Sequence, residues 1–292
     1  VTVVSPNSYF SFTPFLASTC VGTLEFRCAT EPVRGIKHVN YAQGWAEAID
    51  LEKRSVRVAP ALPPLNPTEH DIPANATSGA ELHAPYSPGD AYDVPFDKLV
   101  IATGCRSASF GTPGVKEHAH FLKDVREARA IRYRLLQNLE LASEPGISAA
   151  EKARLLSMRV VGGGPTGVEF AAELHDFVTA DVYRLYPHLR GQISITLYDL
   201  APGILQSFDA SLRAYAERKF ARQGVTVRGN SKIVSVGKDY IEIAPKDGGA
   251  PERVPYGLLV WNTGLQANPF IAGLPGLDKD PKTKSCVLLW VI

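Results

Sequence analysis

The chain has 292 residues, with 31 Lys+Arg against 30 Asp+Glu and a net charge of +1; 45% of its residues are hydrophobic and 21% charged. That balance describes a globular protein with room for one large or two medium domains, and it excludes collagen-like, disordered and disulfide-scaffold chains. A charge this close to zero also argues against nucleic acid as a partner, since phosphate binding needs a dense basic surface.

The four cysteines, Cys20, Cys28, Cys105 and Cys286, form no C-x-x-C pair and lie near no pair of histidines at ligand spacing. No metal site is therefore expected. No run of 18 apolar residues predicts a bilayer-spanning helix, and no targeting segment is evident. The only methionine is Met158, and the chain opens inside an apolar run, so the sequence reads as a piece of something longer.

Val1-Thr2-Val3-Val4 has strand character, broken by Ser5-Pro6-Asn7. The aromatic stretch Tyr9 to Leu16 reads as a core loop, or else as a wall beside a planar ligand. Residues 39–58 suggest two strands of a meander. Residues 59–91, rich in Pro, Ala, Asn, Ser and Gly, look like a long insertion. Leu99-Val100-Ile101-Ala102 reads as a buried parallel strand closed by Thr103-Gly104. Residues 118–142 are predicted as one amphipathic helix, with Lys123, Arg126, Arg129, Arg132 and Arg134 on a solvated face. Ser148 and Glu151 then mark the start of a short helix reaching about Leu156.

Arg159-Val160-Val161 opens a strand, and a helix follows from Pro165 to about Val178. Ile193 to Tyr198 alternates as a strand. Asp209 to Gln223 is a helix with Gly224 as its stop. Strands are expected at 225–228, 231–236, 239–243 and 258–261. The order β-α-β-α-β, meander, β is that of a dinucleotide domain with an antiparallel insertion.

Gly162, Gly164 and Gly167 form G-x-G-x-x-G between that strand and that helix. In such a turn the first glycine makes the bend, the second lets the backbone approach a pyrophosphate, and the third lets helix and strand pack closely. The helix start offers free N–H groups and a positive dipole end to phosphate, and Pro165 suits its first turn. Asp199, ending the next strand, is the predicted ribose ligand. It lies 32 residues after Gly167, beyond the usual ~20, and residues 179–192 account for the extra length as an insertion. A carboxylate there favours NADH over NADPH, whose 2′-phosphate it would repel. The alternative is a glycine-rich turn beside an unrelated surface aspartate.

Four segments resemble the type II, non-proton-pumping NADH dehydrogenases, in their mitochondrial eukaryotic branch. They are Val1 to Pro6 with Phe12-Thr13-Pro14-Phe15-Leu16; Ile101-Ala102-Thr103-Gly104 with Phe110 to Gly114; Val160 to Asp176; and Leu259 to Gly264. The resemblance implies an α/β flavoprotein with two Rossmann-like dinucleotide-binding domains, of the pyridine nucleotide-disulfide oxidoreductase type. Residues 1–155 would be a partial FAD domain, 156–271 the NADH domain, and 272–292 a truncated return to the FAD domain. The FAD phosphate loop, the later Gly-Asp segment and the membrane-attaching C-terminal helices would lie outside this chain. FAD binding by the chain alone is therefore expected to be poor. The tail from Cys286 to Ile292 departs from the family pattern.

The resemblance further implies that Thr13, Pro14, Phe15, Leu16, Ala102, Thr103 and Gly104 contact FAD, the first four also bordering the quinone site. Gly162, Gly163, Gly164, Pro165, Thr166, Gly167, Glu169, Asp199, Thr263 and Gly264 would contact NADH. Glu169 is the candidate catalytic residue in proton uptake; its alternative role is a helix-start charge favouring the dipole. Asn262 stands where a small residue is expected. The implied reaction is oxidation of NADH through FAD with electron transfer to ubiquinone. The implied setting is the mitochondrial inner membrane, with peripheral attachment and a homodimer of the full-length enzyme. Two other readings stay open: a reductase with a redox cysteine pair, for which Cys20 and Cys28 are too far apart, and a nucleotide-binding module without turnover.

Overall fold

The computed structural model describes residues 1–61, 91–245, 249–275 and 279. These fall into two compact units. One comprises Val1–Ser11, Thr30–Arg106 and the chain from Leu265; the other comprises Phe12–Ala29 and Ser107–Gly264. The divisions thus fall at 11/12, 29/30, 106/107 and 264/265. Most of the 59–91 stretch and all of the 286–292 tail lie outside the described residues.

The first unit contains β1 (Thr2–Ser5), β2 (Tyr9–Ser11), β3 (Thr30–Pro32), β4 (Asn40–Asp50), β5 (Ser55–Pro60), β6 (Tyr92–Pro95) and β7 (Cys105–Ser107). Its main sheet has the order β1-β4-β5-β6, with β1 parallel to β4 and the other pairs antiparallel. The β4–β5 turn is set by Asp50, whose carboxylate accepts the N–H groups of Glu52 at 3.1 Å and Lys53 at 2.8 Å. Val56 and Val58 are buried while Arg57 between them is exposed, the two-residue alternation of a half-covered sheet. The expected buried strand at Leu99–Ala102 is not formed. Val100 makes only a single bridge and is 57% exposed. Strand propensity alone buries nothing; a parallel strand needs neighbours on both sides.

The second unit carries α1 (Leu16–Val21), α2 (Val115–His118), α3 (Val125–Ser143), α4 (Ala149–Leu155), β8 (Ser157–Val161) and α5 (Pro165–Phe177). A π turn at Val178–Val182 leads into α6 (Tyr183–Leu185). Then come β9 (Ser194–Tyr198), α7 (Ala210–Gln223), β10 (Thr226–Arg228), β11 (Ile233–Val236), β12 (Tyr240–Ile243), β13 (Glu252–Pro255) and β14 (Leu258–Trp261). The chain returns to the first unit as β15 (Leu265–Ala267), which pairs with β7, and α8 (Pro269–Gly273).

The helix expected over 118–142 starts later, at Val125. Asp124 and Glu127 form a capping box there: Asp124 accepts the N–H of Arg126 at 2.9 Å, and Glu127 accepts those of Lys123 at 2.6 Å and Asp124 at 3.1 Å. Apolar periodicity ran through 119–124 because Phe121 and Leu122 are buried although they are not helical. The basic face is also only partly solvated. Arg129 stacks on the Phe26 ring with its guanidinium 5.0 Å from the centroid, and Arg134 donates to the Gly257 carbonyl at 3.1 Å. Long cationic side chains cover apolar and backbone surface with their stems.

The parallel sheet β10-β9-β8-β14 is the frame of the second unit. All of β8 is buried, as a central parallel strand must be. The antiparallel meander β11-β12-β13 packs on one side through Tyr198, Ile241, Leu259 and Trp261; its third strand was not foreseen from sequence. Each fully buried Leu, Ile or Val here contributes roughly 1.5–3 kcal/mol. Arg159, nearly buried on β8, is satisfied by Thr196 Oγ1 at 2.9 Å and Ser194 Oγ at 3.2 Å. Loss of solvent holds its pKa below the usual arginine value.

Candidate functional site

The site grows from the end of β8. Gly162 has φ +114, a conformation that side chains resist, and a Cβ there would lie 2.5 Å from the Asn262 carbonyl oxygen. Gly167, one turn into α5, comes so close to the Gly162 carbonyl that a Cβ would stand 1.9 Å from it. The helix is thereby pinned against the turn that precedes it. At Gly164 a Cβ would meet nothing within 4 Å, so that face of the turn is open. Pro165 occupies the first turn of α5, and Pro165 and Thr166 are exposed. The opening turn of a helix leaves its N–H groups without internal acceptors and its positive dipole end outward.

Asp199 follows β9 and turns back onto this loop. Its Oδ2 accepts the Gly163 N–H at 2.5 Å and its Oδ1 accepts the Ala201 N–H at 2.7 Å. Each oxygen keeps a further lone pair for a hydroxyl donor. Leu205 closes the same loop, its N–H donating to the Gly163 carbonyl at 2.7 Å with φ +52. No sequence signal marks Leu205, because the positive φ belongs to an ordinary leucine.

On the other flank, β14 runs into Asn262-Thr263-Gly264. The Trp261 indole N–H donates to the Ala108 carbonyl at 3.0 Å, and the Thr263 hydroxyl donates to the same oxygen at 3.3 Å. The backbone N–H of Asn262 donates to the Val161 carbonyl at 2.7 Å, which prolongs the β8–β14 pairing to the edge of the turn. Gly264 lies under the exposed ring of Phe110. The structure thus gathers Gly162–Gly167, Asp199 and Asn262–Gly264 at the carboxyl edge of the parallel sheet, where open α/β sheets bind ligands.

The remaining predicted positions belong to other segments of the chain. Glu169 is exposed and lies beyond the first turn of α5, which contains no acidic residue, so the role of a helix-start charge does not hold. Thr13, Pro14 and Phe15 are exposed in a single 3₁₀ turn ahead of α1, whereas Leu16 is buried in the second unit. Phe12 and Phe15 meet edge to face at 4.7 Å and are 43% and 42% exposed, so these aromatics are not core, contrary to that expectation. Ala102, Thr103 and Gly104 are exposed in the first unit, with the Thr103 carbonyl accepting from Asn268 Nδ2 at 3.4 Å. Cys20, Cys28 and Cys105 are free, and burial pushes the Cys20 thiol far above its ordinary pKa, the opposite of a redox-active thiol. Among the described residues no acidic, histidine or cysteine cluster could hold a metal, and no helix is long and apolar enough to cross a membrane.

A parallel sheet, a glycine turn leading into a helix, and a carboxylate at the end of the next strand together define a Rossmann-type dinucleotide-binding domain. The chain belongs to the pyridine nucleotide-disulphide oxidoreductase family, whose pattern matches residues 37–282. It is 40% identical over 271 residues to the external alternative NAD(P)H-ubiquinone oxidoreductase B2, mitochondrial, of Arabidopsis thaliana, covering 93% of this chain and 44% of that one. It is 43% identical over 282 residues to the internal alternative NAD(P)H-ubiquinone oxidoreductase A1, mitochondrial, of Solanum tuberosum, covering 94% and 52%. The structure of NDH2 from Plasmodium falciparum in complex with NADH superposes with a TM-score of 0.81 at 29% identity, covering 94% of this chain and 52% of that one. The chain therefore spans about half the length of the relatives it matches.

Proposed function

We propose that the chain carries the NADH site of a flavin-dependent NADH:ubiquinone oxidoreductase that pumps no protons. The observation that carries this reading is the engagement of Asp199 with the glycine turn. The carboxylate is held at the turn by two backbone N–H groups, where it would meet the sugar of a dinucleotide. The open face at Gly164 would admit the pyrophosphate, and the start of α5 would stabilise its charge. Asp199 would accept from the adenosine ribose hydroxyls and repel a 2′-phosphate. Thr263 and Gly264 would border the second nucleoside. The similarity to mitochondrial NAD(P)H-ubiquinone oxidoreductases supports this reading.

FAD, when bound, supplies the two-electron chemistry that links NADH to a quinone. The exposed Thr13, Pro14 and Phe15 and the exposed Ala102, Thr103 and Gly104 would be its contacts in their respective units, and the exposed Glu169 would hold or release a proton. The full-length protein would act as a peripheral homodimer at the mitochondrial inner membrane. Titration of the 292-residue chain with NADH and NADPH tests the nucleotide site. NADH is expected to bind at least tenfold more tightly, and equal affinity or no binding would overturn the assignment.

A further inference from the structure

Asn262 is the one side chain at this edge that its position does not explain. Its amide nitrogen Nδ2 is buried and has no hydrogen-bond partner. A buried unpaired donor costs about 1–3 kcal/mol, and such groups persist where something else satisfies them.

Alternation along the strand places the side chain. Trp261 and Thr263 both direct their polar atoms to the Ala108 carbonyl, so Asn262 between them projects from the opposite side of the sheet. That side is the one covered by α5. Val160 faces α5, its Cγ1 standing 3.6 Å from where a Gly167 Cβ would be, and Val260 pairs with Val160 two residues before Asn262. Asn262 is thus fixed beside the Gly162–Gly167 turn, against which its own carbonyl packs. In the order β10-β9-β8-β14, the turn after β8 has Asp199 on its β9 flank and Asn262 on its β14 flank. A dinucleotide lying across the turn with its adenosine at Asp199 brings its other nucleoside to Asn262.

We infer that Asn262 is a positioning residue for the nicotinamide riboside half of NADH, its side-chain amide donating a hydrogen bond to an oxygen of that half. This inference rests on the dinucleotide reading of the site. The nicotinamide carboxamide and its ribose both present such oxygens, and adenosine diphosphate presents neither.

Calorimetric titration of the 292-residue chain with NADH and with ADP separates the possibilities. Asn262→Ala, and the near-isosteric Asn262→Asp, which removes the donor, are each expected to raise the Kd for NADH about five- to tenfold. The Kd for ADP should be unchanged in the alanine variant. The melting temperature of that variant without nucleotide should not fall, because a donor with no protein partner is being removed. Unchanged NADH affinity, or equal weakening of NADH and ADP, would overturn the inference while leaving the dinucleotide site standing. A fall in melting temperature with both affinities unchanged would make Asn262 a purely structural residue. Failure of the unaltered chain to bind either nucleotide would overturn the inference together with the reading beneath it.

Discussion

The Asp199 carboxylate and the Gly163 backbone are joined by a hydrogen bond of 2.5 Å, across two parallel strands and 36 residues of sequence. A second bond, from the Ala201 N–H at 2.7 Å, fixes the other carboxylate oxygen. The acidic side chain is therefore oriented by the backbone that it helps to shape.

Asp199→Asn keeps one acceptor oxygen and removes the charge. NADH affinity is expected to fall about tenfold, and NADPH affinity to hold or rise as repulsion of its 2′-phosphate disappears. Parallel titrations of both nucleotides check this. An unchanged NADH/NADPH ratio would show that Asp199 serves only the loop.

Gly167→Ala and Gly164→Ala should behave in opposite ways. At Gly167 the new methyl would strike the Gly162 carbonyl, and relieving that clash costs about 1–3 kcal/mol of stability. At Gly164 there is space and φ is −74, so stability should change by less than about 1 kcal/mol, while the methyl would stand where phosphate is proposed to approach. Denaturant unfolding and NADH titration read the two effects separately. A Gly164→Ala protein that bound NADH normally would place the phosphates elsewhere.

Burial raises the Glu127 carboxyl to about 7, with the nearby Asp124 charge acting in the same direction against the N–H groups of Lys123 and Asp124. An acid held above its ordinary pKa binds its proton more tightly in the folded state. Its contribution to stability therefore declines as pH rises from about 4.5 to 7, and is flat beyond. Glu127→Gln retains an acceptor for the capping box without the charge. Relative to the unaltered chain it should gain about 1–2 kcal/mol at pH 8 and little at pH 4, allowing for the partial exposure of the side chain. Melting curves of both proteins at the two pH values decide; an equal difference at both would remove Glu127 from the pH dependence.

Trp261→Phe keeps an aromatic ring in the apolar cluster but leaves the Ala108 carbonyl with the Thr263 hydroxyl alone. The expected loss is about 1–3 kcal/mol in denaturant unfolding. No loss would mean that the indole bond does not hold the 108 and 261 segments together.

Much of the second unit could be read locally. The glycine turn, Pro165, the Asp209 cap and the Gly224 stop each act through their own few residues, so their chemistry is visible in the string. Reading failed where partners are distant. Leu99–Ala102 has the composition of an inner strand but is not flanked as one, and Phe121 and Leu122 are buried by packing rather than by a helix. The meander's third strand, Glu252–Pro255, is held by pairing to β12 and carries little apolar signal of its own.

By itself the sequence determined the period of α5 and α7 and of the buried strands β8, β9 and β14, the spacing of the glycines in the turn and the presence of one acid after the second strand, because these depend on neighbours within a turn or two. Only the tertiary structure decided that Asp199 turns inward to Gly163, that Leu16 is withdrawn while Thr13–Phe15 are exposed, and that the Asn262 amide is left without a partner. Those outcomes depend on which strands lie side by side, and strand order brings together residues that the sequence keeps tens of positions apart.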